Sequence, residues 1–481
     1  MKPPRKTLLI ELGNVTAGQG NVKVLTDLSW CLTKGEHWLI KGQVGSGKTT
    51  LGKLLCGKAR IFNGSMYIAS ALQRESGLER RSSVRMVSFT DETRLFHGVN
   101  AMHYYQQRYN AFDADGHLTG AEYLEEGGTP IAEATELLET LDLTDLVQLE
   151  RIKLSSGQTR RLLLAKAIIT RPRVLILDNA YVGLDTKSRA TFNSLIDRLS
   201  RETDSTFIII GDQQEAPSCI TDTLLLANGR ICKTVGGFRE MTKRTLQPLT
   251  KYFRSIQPTA TDSPVIELKN LSVRYPDTKV LHDINWQVQP GEKWGLLGPN
   301  GSGKSTLLAL IYADHPQAYS NHVTLFGNRR GRGESIWDVK KRIGFTSAEI
   351  HAYFHHALTG LQIVLTGLSD SFVVPTRPDP IQLAAAHLFF EIFESRHLEN
   401  RFFHQMSSGE QRLVFFFRAL IKAPELLLLD EPFQAMDHTL MGQCRDMLTT
   451  LLGDQHTLVF ITHYAEEIPS SVEHIFELEQ H

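Results

Sequence analysis

Long apolar runs are missing from this chain. Its most apolar windows, such as Val174–Leu177 and Phe207–Ile210, are strand-sized and far from the roughly 18 residues a spanning helix needs, so no segment is expected to cross a membrane. Paired cysteines are missing too. Cys31, Cys56, Cys219, Cys232 and Cys444 are scattered with no CxxC among them, which argues against a zinc ribbon, an iron–sulfur cluster or a disulfide framework and fits free thiols in a reducing compartment. There is no surplus of either charge, since 52 Lys and Arg face 53 Asp and Glu for a formal net charge of −1. Proteins that live on ribosomes or bulk DNA usually carry a basic excess, because phosphate neutralisation drives that binding. The sequence therefore gives no direct nucleic-acid signal. After a basic start, only Leu8, Leu9 and Ile10 precede Glu11, too little for a signal-peptide core. The expected location is cytoplasmic.

What is present is a repeat. At 481 residues the chain exceeds one compact core, and Leu25-Thr-Asp27…Gly35-Glu36-His-Trp38…Gly42 recurs as Leu281-His-Asp283…Gly291-Glu292-Lys-Trp294…Gly298. The offset is constant, 281 − 25 and 298 − 42 both giving 256, whereas Ser-Ser-Gly at 155–157 and 407–409 and the acids at 178 and 430 are offset by 252. Two homologous domains follow, expected over 1–240 and 265–481, with a linker region over 241–264 ending in the polar stretch Gln257–Pro264. Val/Ile/Leu runs in each copy predict an α/β fold with a mixed, largely parallel sheet core. Glu92–Ile152 and Ile350–Gln405 hold few strand signals and predict a helical subdomain in each copy.

Two motifs satisfy G-x4-G-K-[ST]: Gly42-Gln-Val-Gly45-Ser-Gly47-Lys48-Thr49-Thr50 and Gly298-Pro-Asn-Gly301-Ser-Gly303-Lys304-Ser305-Thr306. Each follows an apolar strand and opens a predicted helix (Thr50–Cys56 and Thr306–Tyr312), the context a phosphate-binding loop needs. The glycines let successive N–H groups face phosphates at a helix N-terminus. Lys48 and Lys304 are expected on the outer phosphates of ATP, and the hydroxyls of Thr49 and Ser305 on Mg2+. Two matches at equivalent repeat positions leave little room for a chance glycine turn.

Leu154-Ser155-Ser156-Gly157-Gln158 and Met406-Ser407-Ser408-Gly409-Glu410-Gln411 each precede an Arg-bearing apolar helix and then an Asp-terminated strand. Taken in this order with the phosphate loops, the chain resembles the ATP-binding-cassette (ABC) ATPases over nearly its whole length, twice. The resemblance implies that the two cassettes pair head to tail. On that reading the Lys48/Asp178 site is completed by Ser407 and Gly409, and the Lys304/Asp430 site by Ser155 and Gly157. It also implies that Asp178 and Asp430 hold Mg2+, that Glu431 is the general base, that His463 is the switch histidine on the terminal phosphate, and that Tyr275 stacks on adenine. The stretch from His315 to Lys341 is similar to a bacterial family of tandem molybdate-transport or photorepair ATP-binding proteins.

The two copies differ where chemistry would occur. Asp430 is followed by Glu431, but Asp178 by Asn179, an amide that cannot accept a proton as a carboxylate does. Ile461-Thr-His463 is matched by Ile210-Gly-Asp212-Gln213, without histidine, and Tyr275 is matched by Gln19. The first site is therefore expected to bind ATP and hydrolyse it poorly, the second to turn over. The glutamine that the family places near Phe89 and Ala348 is absent from both copies, although Asp91, Glu92 or Glu349 lies nearby. Separate membrane permease subunits, with molybdate or another oxyanion as the cargo considered, are the first expected partner, giving a peripheral place on the inner membrane face. Soluble action on ribosomes or nucleic acid, or a low-turnover switch, is the alternative. His351, His355 and His356 read as a polar helix face rather than a metal site, and Arg329, Arg330 and Arg332 as solvated charge.

Overall fold

The computed structural model describes residues 7–69, 83–89, 119–125, 135–141, 143–144, 146–149, 156–182, 184, 186–211, 216–232, 243–256, 263–275, 278–299, 302–312, 314–333, 335–347, 350, 354, 357–369, 371–464 and 467–479. The chain forms two compact units, Met1–Gly237 and Phe238–His481.

In the first unit the described strands are β1 (Leu8–Gln19), β2 (Val22–Thr33), β3 (Trp38–Gly42), β4 (Arg60–Ile68), β5 (Val84–Ser88), β6 (Val174–Asp178), β7 (Thr206–Ile210), β8 (Asp222–Ala227) and β9 (Arg230–Cys232). They build an antiparallel sheet in the order β2-β1-β4 and a sheet in the order β5-β6-β7-β3-β8-β9, parallel except for the terminal β8–β9 pair. Strands β6 and β7 are buried at every position, as expected of parallel strands covered on both faces. Two apolar clusters sandwich the parallel sheet. One joins it to the antiparallel sheet and the helix Lys48–Leu55; the other joins it to the helices Ser156–Ile168 and Thr186–Glu202.

The second unit repeats the plan with β10 (Ile266–Tyr275), β11 (Thr278–Val288), β12 (Lys293–Leu297), β13 (His322–Leu325), β14 (Asn328–Arg329), β15 (Ile343–Thr346), β16 (Leu426–Asp430), β17 (Thr457–Ile461) and β18 (His474–Glu477). Its sheets run β11-β10-β13-β14 and β15-β16-β17-β12-β18. Every pairing in the latter is parallel. Helices Gly360–Thr366 and Pro380–Ile392 occupy the expected helical subdomain.

The repeat extends to backbone conformations that L-residues rarely adopt. Asn14 and Asn270, Asp27 and Asp283, Arg171 and Ala423, and Asn179 and Glu431 are all left-handed, and each pair lies at the offset found in the sequence. Strand register refines that offset. Val84 faces Val174, and Ile343 faces Leu426, so β5 and β15 are 259 apart (343 − 84). The 241–264 stretch, read as a linker region, contains the helix Lys243–Ser255. Its Leu246, Leu249, Tyr252 and Phe253 are buried in the core of the second unit, and the Tyr252 hydroxyl donates to the Ile421 carbonyl. Among the described residues no helix is long and apolar enough to cross a membrane, and no cluster of His, Cys, Asp or Glu could hold a metal ion. His351, His355 and His356 lie outside the described residues.

Candidate functional site

In each unit the parallel strands converge at their carboxyl ends, where ligands bind in open α/β sheets. β3 ends at Gly42 and β12 one residue before Gly298. The helices that follow begin at Lys48 and Lys304, two residues earlier than predicted, because Gly47 (φ 100°) and Gly303 (φ 92°) turn left-handed directly into the first helical residue. The glycines leave no room for a side chain. A Cβ on Gly42 would stand 2.1 Å from the Leu226 carbonyl oxygen, and one on Gly298 2.6 Å from that of Leu478. A Cβ on Gly47 or Gly303 would stand 2.7 Å from Leu25 or Leu281. The loops are thus cradles of bare backbone, suited to phosphate oxygens. Lys48 Nζ donates to the carbonyls of Gly42 and Gln43; Lys304 Nζ donates to those of Gly298 and Pro299, each at 2.7 Å. Both ammonium groups are folded over the loop that would hold the phosphates. Thr50 and Thr306 lie in the first helical turns, Gly45 is exposed in its loop, and Gly301 lies outside the described residues.

In the first unit the acidic strand end meets the start of the helix that follows the loop. Thr49 Oγ1 donates to Asp178, 3.0 Å from Oδ2 and 3.3 Å from Oδ1, so residues 129 apart in sequence present only oxygen donors, the set that Mg2+ prefers. Asp430 is buried at the end of β16, while Ser305 is exposed at its helix start.

One residue further on, the backbone of the two units is alike. Asn179 (φ 56°) and Glu431 (φ 46°) are both left-handed, and their amides donate to Ile210 and Ile461 at 2.9 Å. Only the side chain differs. Asparagine is one of the few residues at ease in this conformation, and glutamate is not, so its presence at 431 points to chemistry rather than to the turn. His463 Nε2 lies 2.8 Å from Glu431 Oε1, in ion-pair range once the imidazole is protonated, though not aligned as a hydrogen bond. Gln434 Nε2 donates to Glu431 Oε2 at 2.9 Å. Burial opposes ionisation of Glu431, but the nearby His463, Arg412 and Lys304 outweigh it and hold the carboxyl below its ordinary range. Arg412, buried, is brought down to about 10 by that burial, against the pull of Glu431 and Asp430.

Ser407 caps the helix Ser408–Leu420 in a reciprocal capping box with Glu410, and Gly409 is buried in its first turn. Gly157 lies in the first turn of the helix Ser156–Ile168. Ser155, Asp91, Glu92, Asp212, Gln213, Ala348 and Glu349 lie outside the described residues; Tyr275 ends β10, with its side chain outside them. Near the place where the resemblance leads one to expect a glutamine, the first unit has Phe89. It is 4% exposed, edge-on to Phe192 and 5.5 Å beneath the Arg160 guanidinium; a phenyl packed there is no metal ligand. Sequence reasoning missed Arg412 and Gln434. The signal was a repeat comparison: arginine recurs at 160 and 412, whereas Gln434 is matched by Val182.

The family model for ABC transporters matches residues 25–182 and 281–434. An uncharacterized ABC transporter ATP-binding protein of Schizosaccharomyces pombe is 31% identical over 96% of this chain and 96% of its own length. The ABC transporter ATP-binding protein ModF of Escherichia coli is 31% identical over 93% and 92%. In fold alone, the chain is similar to one in a model of ribosome-bound archaeal Pelota and ABCE1, with TM-score 0.56 and 17% identity over 95% of this chain and 75% of that one. The chain therefore belongs to the ABC transporter family of ATP-binding proteins and carries its ATPase cassette twice.

Proposed function

We propose that the second unit hydrolyses ATP while the first binds it and turns it over poorly. One observation carries this reading: the same left-handed backbone position holds a carboxylate at Glu431, engaged by His463 and Gln434, and an amide at Asn179. In the second unit Lys304 and the loop amides bind the phosphates and Ser305 and Asp430 hold Mg2+, which neutralises charge on the transferred phosphoryl group. Glu431 takes the proton of the attacking water, and His463 steadies the carboxylate and the terminal phosphate. In the first unit Lys48, Thr49 and Asp178 bind nucleotide and Mg2+, and no carboxylate follows Asp178. Single-turnover phosphate release with Lys48→Ala and Lys304→Ala variants tests the assignment; Lys304→Ala is expected to abolish the fast phase, Lys48→Ala to retain it.

The chain serves as the ATP-binding component for separate membrane permease subunits, with an oxyanion as the cargo class. The name of ModF and those of the other full-length relatives support this role. The packed phenyl of Phe89, near where the resemblance leads one to expect a glutamine, favours a second reading, a soluble ATPase or switch. Purifying the ATP-trapped Glu431→Gln protein from native cells separates them, since permease subunits support transport and ribosomes or nucleic acid overturn it.

A further inference from the structure

We propose that Gln434, anchored by Arg412, is a positioning residue for hydrolysis that fixes the orientation of the Glu431 carboxylate. The inference rests on the reading of Glu431 as the base. Two residues, Pro432 and Phe433, lie between them, and the turn is closed by the Gln434 backbone amide, which donates to the Glu431 carbonyl at 3.3 Å. Gln434 Nε2 then reaches Glu431 Oε2 at 2.9 Å, while its Oε1 accepts from Arg412 Nη2. A guanidinium has donors only. The glutamine oxygen must therefore face Arg412 and its NH2 must face the carboxylate, so the arginine decides which way the amide points. Arg412 is itself pinned. It is 5% exposed, and its Nη1 donates to the Ser347 carbonyl at 3.3 Å, just beyond β15. Glu431 is thus tied to two neighbouring strands of the parallel sheet: it follows β16 directly, and Gln434 and Arg412 link it to the end of β15.

The first unit supplies the comparison. Its arginine is kept, but Arg160 donates to the Ala180 carbonyl instead, and the residue at the glutamine position is Val182, which has no polar side-chain atom. The relay is found only where there is a carboxylate to orient. The terminal torsion of a glutamate is broad, and His463, without hydrogen-bond alignment, does not narrow it alone. In the step served, the water oxygen bonds to the terminal phosphorus, the bond from phosphorus to the bridging oxygen breaks, and the water proton passes to a Glu431 oxygen. A carboxylate turned away from that line slows the step without changing how nucleotide binds.

The test uses the full chain with Gln434→Val, which installs the residue of the first unit, and Gln434→Met, closer in volume and available should the valine variant not fold. Steady-state ATPase activity is expected to fall about 10- to 100-fold in kcat, with KM and the affinity for a fluorescent ATP analogue held within about two-fold. In the Glu431→Gln background the same substitution is expected to lower residual turnover no further, because the group it orients is gone. A near-wild-type kcat for Gln434→Val and Gln434→Met beside an inactive Glu431→Gln overturns the relay, as does an equal fold-loss in both backgrounds. A Glu431→Gln protein with wild-type turnover would instead refute the assignment of the base.

Discussion

Replacing Glu431 by glutamine changes one atom of the side chain and nearly nothing of its volume, so the outcome is decided by charge and by hydrogen-bond polarity. In the native protein one carboxylate oxygen lies 2.8 Å from His463 Nε2 and the other 2.9 Å from Gln434 Nε2. An amide offers one oxygen and one NH2, and the Gln434 NH2 is already committed by Arg412. The new amide oxygen must therefore face Gln434 and its NH2 must face His463. That arrangement is satisfiable, and the lost charge-assisted contact costs about 1–2 kcal/mol of stability, or a few degrees of melting temperature for a unit of this size. The chemical effect is larger. Without a proton acceptor the barrier rises by roughly 3–5 kcal/mol, a 10²- to 10⁴-fold fall in kcat. Nucleotide binding is kept, because the phosphate loop around Lys304 is untouched. The assay is phosphate release measured beside equilibrium ATP binding on the same preparation. Intact phosphate release from a correctly folded Glu431→Gln protein would refute the division of labour between the two units.

Four further outcomes are expected. Asn179→Glu in the Glu431→Gln background lowers stability by about 1 kcal/mol or less, since glutamate tolerates the left-handed turn less well than asparagine; it leaves turnover low, because Val182 has no polar group to orient the new carboxylate, and recovery to near-wild-type phosphate release contradicts this. Gly298→Ala forces a Cβ to 2.6 Å from the Leu478 carbonyl oxygen, so ATP affinity and melting temperature both drop, whereas Gly453→Ala, with nothing within 4 Å of its added carbon, serves as the silent control. Phe89→Gln removes a buried phenyl and costs about 3 kcal/mol; a melting temperature equal to wild type would show that the site tolerates the family residue. Glu410 is opposed by burial, but contacts from His397, Ser407 and Arg401 hold its carboxyl below the ordinary glutamate range. Its stabilising contribution is therefore present above the unfolded-state pKa and lost as pH falls through the lower folded value. Acid unfolding of Glu410→Gln should accordingly show a flatter pH dependence, and an unchanged slope counts against that coupling.

The sequence by itself determined the fold class, the repeat and the phosphate loops, because these depend on local rules. A glycine at 47 or 303 is needed where φ is positive, apolar runs of five residues mark strands buried on both faces, and a constant offset marks duplication. The contrast of Glu431 with Asn179 was legible for the same reason, as neighbours of an aspartate that ends a strand. Helix starts were misplaced by two residues because the left-handed glycines cap without a side-chain signal. The helix Lys243–Ser255 was hidden in a polar stretch containing Pro248, and only packing against the second core shows why it is ordered. The resemblance already put Thr49 and Asp178 on one Mg2+; tertiary structure added their direct hydrogen bond, buried Phe89 under Arg160, and placed Arg412 and Gln434 behind Glu431. Those contacts span from three to 129 residues of sequence. They depend on where side chains point once parallel strands are set side by side, which no local pattern encodes.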